Sequence, residues 1–153
     1  MKNAQGEEMR EFSCMYKELD DLYHSIAKKI GISDSAFEVL YAICVLGDGC
    51  SQTDICEQAF VIKQTLNSAI RKLEREQKLI YKTKGKGRTL HIHLTEQGRR
   101  FVEQRIYPVL QMENNAFRHM DKAESQELLR LTRKYLAGMR KEARGFLEPE
   151  DGV

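Results

Sequence analysis

The stretch SQTDICEQAFVIKQTLNSAIRKLEREQKLIYKTKGKGRTLHIHLTEQG, residues 51–98, decides the fold. It opens on Ser51 with Asp54 three residues on, the capping-box spacing in which a hydroxyl and a carboxylate each satisfy one orphan amide of a helix start. Ile55, Cys56 and Ala59 mark the inward face of that short helix. A second helix follows, with Leu66, Ala69, Ile70 and Leu73 at i, i+3, i+4 and i+7. This spacing gathers the four on one packed face and leaves Lys63, Gln64, Asn67, Ser68, Arg71 and Arg75 on the solvent side. After Leu79 the helical period gives way to alternation. Residues 80–83 and 89–94 read as strands, with Leu90, Ile92 and Leu94 directed toward the core. Between them, Lys84-Gly85-Lys86-Gly87-Arg88 puts three cations and two glycines at a hairpin tip. Both glycines permit the positive φ of a tight turn and lack a side chain that would hinder close approach to a sugar-phosphate backbone.

Working outward, a first helix is expected over residues 9–29, where Phe12, Met15, Tyr16, Leu19, Leu22, Tyr23 and Ile26 recur at three- and four-residue steps. Gly31 ends it. Ser33 and Ser35 both suit the cap of a second helix, whose buried stripe is Phe37, Leu40, Tyr41 and Cys44, and Ser35 with Glu38 has capping-box spacing. Gly47-Asp48-Gly49 closes that helix. On the other side, a long helix is expected from Thr95 to about Met120, kinked at Pro108 by the missing N–H and the ring clash. Asp121 and Glu124 repeat the capping-box spacing before a last helix, where Leu128, Leu131, Tyr135, Leu136, Met139, Ala143 and Phe146 form a wide apolar stripe.

Charge locates the partner. The 153 residues carry a net charge of +2, but unevenly: residues 1–62 hold 5 Lys/Arg against 11 Asp/Glu, residues 63–105 hold 12 against 4, and residues 106–153 hold 8 against 8. A solvated surface usually mixes its signs, so a cationic middle third points to a polyanion. Gln64, Thr65, Asn67, Ser68 and Arg71 are of the types that read base edges in the major groove, while Lys63 at the helix start suits a phosphate. Ser51, Gln52 and Thr53 complete the expected DNA-contacting set on the preceding helix, and Lys84, Lys86 and Arg88 on the hairpin. An arginine at such a tip suits a narrow A·T minor groove, where negative potential concentrates.

Other classes find little support. Hydrophobic residues make up 41% of the chain, ordinary for a globular protein, and no run approaches the roughly 18 apolar residues of a membrane span. The polar start, Met1 to Glu8, lacks the apolar centre of a signal peptide, so a cytoplasmic protein is expected. Cys14, Cys44, Cys50 and Cys56 form no CxxC pair, and most of them read as small buried hydrophobes rather than a disulfide framework. His91 and His93 fall on the face of their strand away from the core. No third ligand lies near them in sequence, so solvent or phosphate contact is expected there and no metal. His24 and His119 are too distant in sequence to argue for zinc. No nucleophile with a nearby base, phosphate loop or pair of catalytic acids is evident, so neither enzyme nor cofactor is expected.

The order of helices, the reading helix leading to Leu73-Glu74-Arg75-Glu76-Gln77-Lys78-Leu79-Ile80, the hairpin, and the Leu94-Thr95-Glu96-Gln97-Gly98 opening of the next helix together resemble the MarR family of bacterial winged-helix regulators. The match is densest over residues 33–105. It implies a mainly α (α+β) fold: a winged helix-turn-helix DNA-binding domain over 33–98, with an N-terminal dimerisation helix over 1–32 and C-terminal dimerisation helices over 99–153. It implies a homodimer on double-stranded DNA, reading a pseudo-palindromic operator whose half-sites lie about 10 bp apart. Two departures stand out. Lys86 occupies the place, two residues before the wing arginine, where an acidic brace is common, which predicts a more basic and more mobile wing. Ser68 stands where a basic residue is frequent, shifting base reading toward Gln64, Thr65, Asn67 and Arg71.

The resemblance further implies a repressor released by a small aromatic ligand, with Tyr16, Tyr23, Phe37 and Tyr41 as the candidate lining of its cleft, although such rings also serve as core. One branch of the family senses peroxides through a first-helix cysteine, and Cys14 lies in that region. The tyrosines that would poise it from the second helix are replaced by Asp34 and Phe37, and only Lys17 offers a nearby cation. The alternatives are therefore a redox-sensing regulator of the same family, or a winged domain that binds another protein instead of DNA.

Overall fold

Several helix ends fall where capping chemistry marks them. A computed structural model describes residues 5–147 and contains, among them, α1 (Glu7–Ile30), α2 (Asp34–Leu46), α3 (Gln52–Gln58), α4 (Lys63–Arg75), β1 (Ile80–Lys84), β2 (Leu90–Leu94), α5 (Glu96–Arg105), α6 (Tyr107–Arg118) and α7 (Lys122–Leu147). The polar start at Met1 and the last residues of the C-terminal arm lie in part outside the described residues. Gly31 closes α1 in the left-handed conformation, φ +89°, its N–H bonding the carbonyls of Ala27 and Lys28. Of the two serines suited to cap α2, Ser33 takes the role. Its extended backbone, φ −72° and ψ 157°, lets its hydroxyl accept the Ala36 N–H. Ser35 lies inside the helix, and Glu38, free of the box expected with Ser35, accepts the Phe60 N–H instead.

The chain divides into two units, Met1–Val109 and Leu110–Val153. In the first, the stripe of α4 is buried as its spacing requires: Leu66, Ala69, Ile70 and Leu73 pack with Val39, Leu40 and Ile43 of α2, Ile55 of α3, Ile80 and Ile92 of the strands, and Val102 and Ile106. Each large side chain among them contributes about 1.5–3 kcal/mol when fully buried. β1 and β2 pair antiparallel from Ile80↔Leu94 to Lys84↔Leu90. In the second unit, α7 begins with a reciprocal box, Asp121 accepting from the Glu124 N–H at 2.9 Å and Glu124 from the Asp121 N–H at 2.8 Å.

The long helix expected from Thr95 is two helices. α5 stops at Arg105, Ile106 is its cap at φ −98°, ψ −46°, and α6 starts at Tyr107. Pro108 thus sits in the first turn of α6, where a missing N–H is best tolerated; inside one continuous helix the missing N–H and the ring would both cost stability. The break replaces the expected kink.

Thr95 and Gly98 show why the Leu-Thr-x-x-Gly opening takes the form it does. The Thr95 hydroxyl donates to the Lys78 carbonyl at 2.7 Å and accepts the Gly98 N–H at 2.9 Å, capping α5. The Thr95 N–H bonds the Leu79 carbonyl at 3.0 Å. A Cβ on Gly98 would lie 1.9 Å from that same carbonyl oxygen, a backbone atom that cannot rotate away. Gly98→Ala should therefore destabilise the protein by about 3 kcal/mol, read as a lowered urea midpoint with an unchanged slope; an unchanged midpoint would refute this packing.

Candidate nucleic-acid interface

The candidate site is built on a junction of backbone. The segment before α3 runs antiparallel to β2: the Gly49 N–H donates to the Ile92 carbonyl and the Ile92 N–H to the Cys50 carbonyl, both at 2.9 Å, and Ser51 bridges His91. Ser51 then caps α3 through the expected box, its hydroxyl accepting the Asp54 N–H at 3.0 Å and Asp54 accepting the Ser51 N–H at 3.2 Å. The start of α3 is thereby fixed against the base of the wing. Gln52 and Thr53 of α3, Lys63 at the start of α4 and Arg88 of the wing line one recess of about 450 Å³, with Glu57 the carboxylate in its wall. Lys82 of β1 pairs with Glu74 of α4 at 2.8 Å, tying the strand to the helix beside it.

Most of the residues expected to meet DNA are exposed: Lys63, Gln64, Thr65, Ser68 and Arg71 on α4, Thr53 on α3, and Lys84, Lys86 and Arg88 on the wing. Three behave differently from a free reading group. Ser51 is buried and spent on its cap. The Ser68 hydroxyl donates to the Gln64 carbonyl of its own helix at 3.2 Å. Asn67 is half-buried, and its carbonyl accepts a 2.6 Å hydrogen bond from the Gln52 side chain. α4 itself starts from Ile62, which offers no side-chain cap.

The two wing glycines have different reasons. Gly87 is in the left-handed region at φ +69° and meets the expectation of a tight turn. Gly85 does not need that region; a Cβ there would fall 2.5 Å from Nε2 of His91, while its N–H holds the Thr89 carbonyl at 2.9 Å. The histidines, expected to meet solvent or phosphate, also have partners within the chain. His91 Nδ1 donates to the Gly49 carbonyl at 2.9 Å, and His93 stacks on Tyr81 with ring centres 5.1 Å apart and meets the Thr83 hydroxyl at 2.9 Å through Nε2. Both are half-buried and help hold the wing to the loop before α3. That loop also supplies Asp48, which the sequence had offered only as part of a turn. Its carboxylate accepts the Leu94 N–H at 2.8 Å and the Arg99 guanidinium at 2.6 Å.

The candidate effector and redox residues separate. Phe37 is buried in the core, with the Tyr23 and Tyr41 rings 6.2 and 5.7 Å from it; Tyr16 is exposed and packs edge-on to Phe12. Tyr23 and Phe37 also border a recess of about 400 Å³ together with Phe60, His24, Asp34 and Glu38. Within it His24 Nδ1 lies 2.9 Å from the Asp34 carboxylate, and burial pushes the Glu38 carboxyl above the usual range, the Phe60 N–H pulling the other way. Cys14 is exposed on α1. Its neighbouring cation, Lys17, is committed to Asp21 at 2.5 Å. No group of three or more His, Cys, Asp or Glu able to hold a metal, and no helix long and apolar enough to cross a membrane, occurs among the described residues.

No protein-family model and no curated protein matches the chain, but solved structures do. NMB1585, a MarR family regulator from Neisseria meningitidis, superposes with a TM-score of 0.75 at 17% identity, over 94% of this chain and 100% of its own. MepR from Staphylococcus aureus in complex with DNA gives 0.67 at 22% identity, over 88% and 99%. BpsR from Bordetella bronchiseptica, whose DNA binding is regulated by 6-hydroxynicotinic acid, gives 0.60 at 21% identity, over 82% and 98%. The chain therefore has the fold of the MarR winged-helix regulators.

Burial also sets thiol chemistry within the unit. It pushes Cys44 up to about 12 and Cys50 up to about 11, so at pH 8 neither holds an appreciable thiolate fraction. Both should resist iodoacetamide at that pH in the native protein and react after denaturation, as peptide masses would show; rapid native labelling of either would contradict their burial.

Proposed function

We propose that this chain is a MarR family transcriptional regulator that binds double-stranded DNA in a sequence-specific manner, as a homodimer and as a repressor released by a small ligand. One observation carries the reading: Lys63, Arg88 and the start of α3 share one recess, so the exposed row of α4 and the cations of the wing belong to one surface. α4 would enter the major groove, with Gln64, Thr65, Asn67 and Arg71 toward base edges. Lys63, Lys84, Lys86 and Arg88 would neutralise phosphates, Arg88 being placed to reach an adjacent minor groove. Lys86 leaves the wing without an acidic brace and adds to its attraction for DNA.

Dimerisation is supported by apolar faces that single elements leave open. α1 exposes Met15, Tyr16, Leu19 and Leu22, and α7 exposes Leu128, Leu131, Leu136 and Met139; rows of this size mark partner contacts. Residues 1–32 and 99–153 are accordingly assigned to the dimer, and 33–98 to DNA. A twofold pair presents two reading helices to successive major grooves. For the effector, the aromatic recess bordered by Tyr23 and Phe37 is the favoured site, and the regulation of BpsR by an aromatic acid supports a small ring compound. Release would follow if the ligand binds better to a state whose reading helices are wrongly spaced for DNA.

A second reading, a winged domain that binds protein, has one feature in its favour: Phe60 and Ile62 in the α3–α4 turn are 90% and 71% exposed. Selection of duplexes from a random pool should return a pseudo-palindromic consensus with half-sites about 10 bp apart. Arg88→Ala should weaken binding to every duplex and reduce the slope of log affinity against log salt by about 1 for each phosphate left without its cation. Retention that is indifferent to salt would sink the DNA reading and favour the protein partner.

A further inference from the structure

Asn67 stands alone among the polar residues of α4 in being both half-buried and held by another helix. Gln52, the first residue of α3, donates from Nε2 to the Asn67 Oδ1 at 2.6 Å. Gln52 also lines the recess shared with Lys63 and Arg88, so the bond lies where α3, α4 and the wing converge. Gln64, Thr65 and Arg71, by contrast, are exposed and must be ordered by DNA itself, at an entropic cost.

We infer that Gln52 is a positioning residue for base reading, and that the Gln52 and Asn67 amides act on DNA as one unit. The inference rests on the DNA-binding reading above. An asparagine that reads adenine alone uses both ends of its amide, the carbonyl accepting from N6 and the NH2 donating to N7. Here Gln52 takes one lone pair of the Asn67 carbonyl and fixes the turn of its amide, so that the NH2 is the end held ready to donate to a base. Fixed in that sense, Asn67 selects an acceptor edge, such as N7 and O6 of guanine, ahead of the mixed edge of adenine. Half-burial strengthens the arrangement, since an amide turned away from its partner there would lose a hydrogen bond that water only partly restores.

The test is selection of duplexes from a random pool by the full-length wild type, Gln52→Ala, Asn67→Ala and the double variant, with Gln52→Met as a second probe that keeps length but removes the bond. Thermal melting and the far-ultraviolet spectrum confirm that each is folded. In the wild type, the base pair whose preference Asn67→Ala abolishes should be a guanine-containing pair. Gln52→Ala and Gln52→Met should alter preference at that same pair, toward adenine, with discrimination falling roughly 5- to 100-fold. The double variant should match Asn67→Ala alone, because the contribution of Gln52 passes through Asn67. The inference is overturned if Gln52 variants leave the consensus unchanged, shift a different base pair, or multiply with Asn67→Ala. It is equally overturned if they lower affinity for all sequences alike. Failure of the wild type to retain any duplex would instead overturn the DNA-binding reading itself.

Discussion

The pairing of Gly49, Cys50 and Ser51 with β2 is the constraint on which the interface depends. Two backbone hydrogen bonds with Ile92 set the start of α3 beside the wing, and the Ser51–Asp54 box launches α3 from that point. Everything gathered in the recess follows from this placement: Gln52 reaches Asn67, and Arg88 comes to the same wall as Lys63. The side chains around the pairing reinforce it. His91 closes on the Gly49 carbonyl, and Asp48 holds the Leu94 N–H and Arg99 together. Loss of either strand bond would leave buried backbone groups unpaired, which is why such groups are so rarely left without partners.

Packing supplies the other half of the design. The stripe from Leu66 to Leu73 is buried to the last residue, and that burial alone decides which side chains α4 can offer to a partner. The same closeness governs the junction at Gly98, where the carbonyl of Leu79 is near enough to exclude even a methyl group. The helix bearing the candidate reading residues, the strand that follows it and the start of α5 are thus joined by hydrogen bonds as well as by apolar packing.

What was legible in the sequence was what depends on neighbours a few residues apart. The α4 stripe, the boxes at Ser51–Asp54 and Asp121–Glu124, the cap at Gly31 and the two strands could all be read, since each is fixed within one or two turns. What could not be read depends on partners distant along the chain. Ser33 rather than Ser35 caps α2, and Glu38, which had box spacing with Ser35, meets Phe60, 22 residues on. Gly85 looked like a turn glycine and is a clearance for His91. Both histidines looked outward by alternation, yet the loop containing Asp48 and Gly49 covers that face, with His91 meeting a carbonyl 42 residues earlier. The candidate site residues were proposed from type and period, but the link between Gln52 and Asn67 spans 15 residues and has no local signal. Pro108 announced a disturbance without saying that two helices would replace one bent one.

The two helices of the candidate interface begin in opposite ways. α3 has both of its box partners in place, whereas α4 starts from Ile62 with no side chain to occupy its first amides. A serine or aspartate at that position would add about 1 kcal/mol to the stability of the helix. The sequence forgoes it. On the proposed function this is a trade of stability against occupancy: an amide already satisfied from within has nothing to offer a phosphate oxygen, and an aspartate there would also repel it. A stabilised variant at residue 62 would then be a poorer binder, and the weaker of the two starts would be weak because it is kept open for the nucleic acid.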